Sequence, residues 1–271
     1  MADLLKTSKD EIRILSFGGG VDSSAILLTH LEVEDLGIDH VIFSDTGAES
    51  KGTYENVERF QRMCSNHNIP FTIVRKDGET ITEWVTRLGI VPVMAGGSHV
   101  CSVKFKGEVI HKWVAKNFPG KKITYLIGIE ADEMNRKQRF TKPKGDKSNY
   151  EYPLIDRGMT RQDCVDLLES FGLSVPKSSC VFCPFMSEAE IKEVRKDRDD
   201  WATVQLVEKR FEEESSRKHQ AWIDAGKPLN KGGRCFKGHW RKNPWEAGTR
   251  LFIRKVDGKQ LSVAEWEQRV S

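Results

Sequence analysis

The sequence feature that most constrains the fold is a glycine-rich turn between an apolar segment and a helical one. The apolar segment covers residues 12–17, three glycines follow, and residues 21–31 have the composition of a helix. A strand-to-helix turn of this kind binds phosphate, because glycine lets the backbone approach the anion and the amides at the helix N-terminus point towards it. The sequence predicts a phosphate-binding loop formed by Ser16, Phe17, Gly18, Gly19, Gly20, Asp22, Ser23 and Ser24.

Two widespread phosphate loops do not fit this turn. It does not end in Gly-Lys-Ser/Thr, and its glycines do not have the G-x-G-x-x-G spacing of a dinucleotide-binding loop. Ser23 and Ser24 add hydroxyl donors, and the Asp22 carboxylate can hold a metal ion that bridges phosphates. The alternative is a glycine turn with no ligand, and the three polar residues at the helix start favour the phosphate loop.

The first 130 residues alternate between strand and helix patterns. Apolar strand patterns cover residues 11–17, 39–44, 70–74 and 123–129, with helical spacing between them. The alternation predicts an α/β fold with a parallel sheet covered on both faces. Ligands of such sheets bind beyond the C-terminal ends of the strands, where the glycine turn and residues 45–49 both lie.

The second half of the chain has helical and irregular patterns. Three residue pairs have the spacing of a helix N-terminal capping box, namely Thr160 with Asp163, Ser187 with Glu190, and Ser262 with Glu265. We expect a charged helical segment from residue 187 to 225 and a hairpin at Asp257-Gly258. The predicted organisation is a nucleotide-binding domain at residues 1–185 and a helical and irregular, basic C-terminal extension at residues 186–271.

Composition limits the class of protein. Of the 271 residues, 38% are hydrophobic and 31% are charged, as is typical of a soluble globular enzyme. No apolar run could span a bilayer and no leader pattern precedes the first strand, so we expect a cytoplasmic protein with no membrane partner. Six cysteines in such a chain indicate metal or redox chemistry rather than structural disulfides.

Several segments together resemble the phosphoadenosine phosphosulfate (PAPS) reductase-like branch of the PP-loop ATP pyrophosphatases. The turn is similar to the S-G-G-x-D-S loop of that superfamily, with Gly18 where the family has serine. Further segments that resemble family elements are residues 44–49, 128–136, 152–161 and 179–184. The resemblance covers residues 11–184 and is greater to the phage and bacterial DNA-modification type, which has iron–sulfur members, than to the assimilatory reductases.

This resemblance implies a Rossmann-like core of the adenine nucleotide alpha hydrolase type that binds ATP and Mg²⁺. It implies that the enzyme activates an acceptor oxygen as its adenylate, releases pyrophosphate, and then lets sulfur displace AMP. The catalytic residues that it implies are Asp22, Asp45 and Arg136. Besides these and the glycine loop, the nucleotide-binding residues that it implies are Thr46, Gly47, Glu49, Gly128 and Glu133.

The cysteines indicate a metal site. The spacing of Cys180 and Cys183 lets two thiolates face one metal, and Cys101 is the third expected ligand. The resemblance implies a [4Fe–4S] cluster with one open iron, suited to sulfur transfer, and a cysteine desulfurase as sulfur donor. A zinc site that adds His99 or His111, or ordinary buried cysteines, are the alternatives.

The other cysteines have different expected roles. Cys64 and Cys164 lie in helical patterns, which predicts structural positions. Cys235 lies in a basic, glycine-rich segment that would favour a reactive thiolate. The resemblance implies the alternative function, a reductase in which Cys235 attacks the sulfur of PAPS or adenylylsulfate and ATP is not cleaved.

Two basic stretches indicate a nucleic-acid partner. Between Arg136 and Lys147 there are six Lys or Arg and one Asp, a balance of +5. Between Lys231 and Lys255 there are eight Lys or Arg and one Glu, a balance of +7, with aromatic residues interspersed. Cations with aromatics suit a DNA or RNA backbone and stacked bases.

Each basic stretch has an alternative interpretation. For the first stretch the preferred interpretation is that it neutralises ATP phosphates, because it adjoins Glu133 and Arg136. For the second stretch the alternative is a solvated loop around an aromatic cluster. A third function is therefore a non-catalytic nucleotide- and nucleic-acid-binding component of a phage or defence complex. We also expect a homo-oligomer.

Overall fold

The computed structural model describes residues 9–92, 100–138, 140, 142, 145–236 and 238–270. The chain divides into two compact units. The first contains Met1–Lys76 and Val103–Ser179, and the second contains Asp77–Ser102 and Cys180–Ser271. No helix of the described residues is long and apolar enough to cross a membrane. The domain boundary after residue 185 stays a prediction.

A five-stranded sheet forms the centre of the first unit. Every pairing in it is parallel, and the strand order is β3-β2-β1-β4-β5. The predicted α/β fold class with a parallel sheet is thereby confirmed. The strands are β1 (Glu11–Phe17), β2 (His40–Asp45), β3 (Phe71–Arg75), β4 (Lys122–Ile127) and β5 (Asn149–Glu151).

The strand order reverses next to β1. The chain moves from β1 to β2 and β3 on one side, and then returns to add β4 and β5 on the other side. In the β1–β4 pair, Ser16 lies opposite Ile127, so both strands end at the same edge. Such a reversal leaves a crevice beyond the carboxyl ends of the two central strands, which is where ligands of open α/β sheets bind.

Helices account for most of the remaining described structure. The helices are α1 (Val21–Leu28), α2 (Lys51–Asn66), α3 (Ile81–Leu88), α4 (Glu108–Asn117), α5 (Met134–Gln138), α6 (Pro153–Asp156), α7 (Arg161–Ser170), α8 (Glu188–Lys196), α9 (Arg198–Asp224) and α10 (Val263–Arg269).

Both faces of the sheet are buried, as predicted. Alternate residues of β1 belong to two different hydrophobic cores: Leu15 and Phe17 pack with α1, α2 and α7, whereas Ile12 and Ile14 pack with α4. All four side chains are at most 2% exposed. A shift of β1 by one residue would move each of its side chains to the opposite face of the sheet, into the other core. Packing therefore determines the register of the strand.

The local sequence signals are confirmed. All three predicted capping boxes form, at the N-termini of α7, α8 and α10. Residues 255–256 pair with 259–260 around Asp257 and Gly258, which both have positive φ, as a tight hairpin turn requires.

Two local features have no signal in the sequence pattern. The charged helical segment predicted from residue 187 to 225 consists of two helices, because Asp197 is extended and its carboxylate accepts hydrogen bonds from the Asp199 and Asp200 amides, which begins α9. The short strand β5 lies outside the four strand patterns of the sequence. Its three residues are too few to show a period, and the pairing with β4 decides it.

Glu208 of α9 joins the segments of the second unit. It is 6% exposed, and its two carboxylate oxygens accept hydrogen bonds from the Leu251 amide at 3.2 Å and the Val263 amide at 2.6 Å. Burial raises the pKa of Glu208, and the two amide donors oppose that shift. One buried carboxylate thus ties both the chain at residue 251 and the start of α10 to α9.

Candidate functional site

The glycine turn lies at the crevice beside β1 and β4. Gly19 has a φ of 75°, and Gly20 is the N-cap of α1 with no side chain to occupy the helix end. The Gly18 amide donates to Ser23 Oγ at 3.1 Å, and the Ser23 hydroxyl donates to the Gly20 carbonyl at 3.2 Å. The hydroxyl of Ser23 therefore holds the loop closed, and the open helix end faces the crevice as a place for an anion.

At three positions around this loop, neighbouring atoms leave no room for a Cβ, so glycine is required. A Cβ on Gly19 would lie 2.8 Å from Thr53 Cγ2, and one on Gly20 would lie 2.6 Å from Ser178 Oγ. Gly128, just beyond β4, has Ser23 N at 2.9 Å from the position of its missing Cβ. The backbone after β4 thus approaches the start of α1 so closely that only glycine fits.

Gly18 is the exception. Its backbone is outside the left-handed region, and the nearest atom to a Cβ would be Ser23 Oγ at 3.8 Å. The structure therefore accommodates a serine at Gly18, the residue that the family has there.

Asn56 of α2 supports the loop and was missed by the sequence reasoning. It is 1% exposed and donates to the Gly19 carbonyl and to Ser24 Oγ, both at 3.0 Å. Its Oδ1 has no hydrogen-bond partner among the described residues. The signal was present, because Asn56 follows Thr53 and precedes Phe60 at helical spacing on the buried face of α2.

Two carboxylates lie at the mouth of the crevice. Asp22, in the first turn of α1, accepts a hydrogen bond at 2.5 Å from Arg161, the first residue of α7. Burial raises the pKa of Asp22, and the Arg161 guanidinium opposes the shift. Glu130, after β4, is 6% exposed, and its Oε2 has no hydrogen-bond partner in the described structure. Burial, and then the charges of Glu133 and Asp22, raise the pKa of Glu130.

The predicted residues Glu133 and Arg136 lie on the exposed side of the same segment. The Arg136 guanidinium donates to Glu133 Oε2 at 2.7 Å. The charge of Arg136 lowers the pKa of Asp22 and the charge of Glu133 raises it, so both act on the carboxylate at the crevice. The structure thus brings Asp22, Glu133 and Arg136 together and adds Glu130 and Arg161, and the catalytic and nucleotide-binding roles of the first three stay predictions.

Asp45, predicted to be catalytic, has a full set of partners at the end of β2. Its Oδ1 accepts from the Gly47 amide at 2.7 Å and the Tyr54 hydroxyl at 2.8 Å, and its Oδ2 accepts from Arg75 Nε at 2.8 Å. Burial and the Asp45 carboxylate raise the pKa of Tyr54. These bonds shape the loop after β2, and the catalytic role of Asp45 stays a prediction.

Glu49 has a different environment in the same loop. Its Oε1 accepts from the Thr46 hydroxyl and from Lys106, both at 3.0 Å. The side chain is 1% exposed, and Oε2 has no partner among the residues described. Lys106 comes from a distant part of the sequence and was missed, since nothing near it in the chain indicates this contact.

The predicted metal ligands Cys101, Cys180 and Cys183 all belong to the second unit. The Cys183 amide donates to the Cys180 carbonyl at 3.1 Å, so one turn carries both thiols. The described part of the chain contains no group of three or more His, Cys, Asp or Glu side chains that could hold a metal ion. The metal role of the three cysteines stays a prediction, and His99 lies outside the described residues.

The remaining candidates have structural environments. Cys64 and Cys164 are fully buried in the core of the first unit, and burial raises the pKa of each thiol to about 12. His111, an alternative zinc ligand, stacks on Tyr125, and its Nε2 lies 3.1 Å from the Tyr150 hydroxyl. Burial lowers the pKa of His111.

The chain is similar to a crystal structure of phosphoadenylyl-sulfate (PAPS) reductase from Candida auris in a phosphate complex, with a TM-score of 0.41 and 15% sequence identity. The similarity covers 65% of this chain and 80% of that one. No protein-family model matches the sequence, and no curated protein matches it.

The glycine loop generates a prediction with a matched pair of variants. Gly18→Ser has space and ordinary backbone angles, so we expect its free energy of unfolding to stay within about 0.5 kcal/mol of the parent. Gly19→Ser places a side chain at positive φ against Thr53 and should lose about 1–3 kcal/mol. Urea unfolding measures both, and equal destabilisation of the two variants would contradict the loop geometry.

Proposed function

We propose that this chain is a PP-loop ATP pyrophosphatase-type enzyme that adenylates an acceptor oxygen for sulfur transfer to a nucleic acid or small molecule. The observation that carries the proposal is the glycine loop at the strand-order reversal, with the half-buried carboxylate of Asp22 and the buried carboxylate of Glu130 beside it. A helix N-terminus without a capping side chain provides amides for phosphate, and adjacent carboxylates suit the Mg²⁺ that accompanies ATP.

The site residues fit Mg²⁺ bound together with phosphates rather than alone. Mg²⁺ is commonly held by one or two carboxylates plus phosphate oxygens and water. Asp22 and the orphaned buried Oε2 of Glu130 provide carboxylates of this kind, whereas the described residues contain no complete metal cage. When bound, the ion would supply charge neutralisation for the phosphates.

In this proposal the protein acts by positioning and by charge. The loop backbone holds the phosphate chain, and Asn56 keeps the loop in place through Gly19 and Ser24. Arg161 and Arg136, which now pair with carboxylates, would turn to the phosphates and stabilise the departing pyrophosphate. Preorganised positive charge at the leaving group is the main means by which proteins accelerate phosphate chemistry.

The sulfur step is proposed on the sequence motif alone. Cys101, Cys180 and Cys183 would deliver sulfur that a cysteine desulfurase supplies. In this proposal the adenylation uses the glycine loop and the charged residues of the crevice, and the cysteines act only in the later sulfur step.

Pyrophosphate release is the direct test. We expect the enzyme to release pyrophosphate from ATP with water, bulk tRNA or genomic DNA as trial acceptors. Asp22→Asn should lower the rate about 100-fold, because it removes the carboxylate beside the phosphates. Glu169→Gln, an exposed neutralisation on α7, should leave the rate unchanged.

Other products would replace the proposal. Sulfite released from PAPS and abolished by Cys235→Ala would establish the reductase. Nucleotide binding without turnover would establish a non-catalytic component.

The Asp22–Arg161 pair predicts a change in pH dependence. Burial raises the pKa of Asp22 and Arg161 lowers it, so Arg161→Ala leaves burial less opposed and the pKa of Asp22 rises further. The acid limb of pyrophosphate release, which needs ionised Asp22, should therefore move to higher pH. Arg161→Lys keeps the charge and should move the limb less. A limb that stays in place or moves to lower pH in the Ala variant would show that Asp22 does not control it.

Metal analysis tests the cysteine site. Protein prepared without oxygen should contain iron and acid-labile sulfide, and Cys180→Ser should lose both. Cys235→Ser, outside the predicted ligand set, should keep them. Zinc in place of iron would establish the zinc alternative, and neither metal would contradict a metal site.

A further inference from the structure

The segment between residues 227 and 255 lies in the second unit and is anchored to α9. The Trp240 amide donates to the Lys218 carbonyl at 3.0 Å, and the buried Asn243 donates to Ser216 Oγ at 3.2 Å. Leu251, whose amide reaches Glu208, is fully buried. These anchors hold parts of the segment against the helix.

The cations of this segment differ from those of α9. On α9, Lys209, Arg210 and Arg217 pair with the glutamates at positions 213 and 214. By contrast, six exposed cations of the segment have no ion-pair partner in the described structure. We name them the basic surface: Lys231, Arg234, Arg241, Lys242, Arg254 and Lys255. The one acidic residue between Lys231 and Lys255 is Glu246, which is exposed.

We infer that the basic surface binds the phosphate backbone of a nucleic acid, with little dependence on base sequence. Six cations without ion-pair partners in the described structure, in a stretch of sequence with a single carboxylate, attract a polyanion, and binding releases the counterions of its phosphates. The cations lie in turns and loops and at one short hairpin strand rather than on an amphipathic helix, which is the element that a membrane surface takes. A nucleic acid therefore fits this surface better than a lipid headgroup layer.

The environment of the two tryptophans of the segment favours phosphate contacts over base stacking. The Trp240 ring is covered by the Lys218 ammonium at 4.6 Å, and the Trp245 ring is covered by the Arg250 guanidinium at 3.8 Å. These indoles are engaged within the protein and are not open platforms for stacking. Phe236, at 51% exposure, is the large aromatic ring of the segment that is accessible to a base. Phosphate contacts therefore dominate.

The other basic stretch is organised differently. Arg136 pairs with Glu133, Lys137 lies over the Tyr152 ring at 4.8 Å, and Lys142 lies over the Tyr150 ring at 5.6 Å. Arg139 and Lys144 lie outside the described residues, as does Lys237 of the later segment. The cations described before residue 143 are thus engaged within the first unit, and the inference concerns the basic surface alone.

The test measures binding of fluorescent oligonucleotides to the full chain by anisotropy, without ATP, so its outcome is independent of the proposed adenylation. We expect log Kd to rise linearly with log salt concentration. If all six cations contact phosphates, the slope is about 4 for a single strand and about 5 for a duplex. Oligonucleotides of scrambled sequence should bind equally.

Matched variants locate the interaction. The triple variant Lys231→Gln, Arg234→Gln, Lys242→Gln should weaken binding at least about 10-fold and reduce the salt slope by about 2 for a single strand. The control Lys209→Gln, Arg217→Gln, Lys259→Gln neutralises three exposed cations of the same unit that are paired with acids, and should change binding little. Unchanged thermal unfolding shows that both proteins are folded.

Three results would overturn the inference. They are a triple variant that binds as well as the parent, a control that loses as much affinity as the triple variant, and binding to phosphatidylserine vesicles with none to oligonucleotides.

Discussion

The first unit depends on the burial of β1, which is paired on both edges and packed on both faces. Because its alternate side chains serve two different cores, the strand cannot slip in register. The end of β1 is therefore held at the same edge as the end of β4, and Gly18, Gly19 and Gly20 begin there. A glycine turn elsewhere in the sheet could have the same residues and lack the crevice, since only the reversal of strand order opens one.

The electrostatics of the crevice follow from this packing. The close approach of Gly128 to the start of α1 brings the segment after β4 next to Asp22, so that Glu130 and Glu133 share its surroundings. Carboxylates removed from water in this way cost free energy unless a cation compensates them. Arg161 partly does so for Asp22, and Glu130 keeps an oxygen without a partner in the described structure. The crevice therefore suits a ligand that binds together with a cation.

The second unit also depends on a buried carboxylate with compensating partners. Glu208 is buried, and two backbone amides compensate its carboxylate. These hydrogen bonds join α9, the chain at residue 251 and the start of α10 in a unit that contains few strands among its described residues. On α9, Lys209, Arg210 and Arg217 form ion pairs with neighbouring glutamates, whereas the cations of the basic surface have no ion-pair partner among the described residues. Sequence composition showed the excess of charge, and the distribution of partners shows which cations remain available to a polyanion.

The sequence by itself determined the features whose cause lies within a few residues. These are the strand–glycine–helix turn, the three capping boxes and the hairpin at Asp257-Gly258, because each is a bond or a backbone angle between close neighbours in the chain. The two-sided burial of the sheet was also predictable, since apolar strands alternated with helices. The grouping of the three cysteines around a metal stays a prediction from spacing.

Only the tertiary structure decided which distant groups meet. Arg161 reaches Asp22 across 139 positions, Asn56 reaches Gly19 across 37, and Lys106 reaches Glu49 from beyond β3. The sequence around either residue of such a pair does not identify its partner, because the packing of the strands and helices between them creates the contact. For the same reason the sequence showed only that aromatic residues lie among the cations of residues 231–255, whereas the fold shows that Lys218 lies over Trp240 and Arg250 over Trp245.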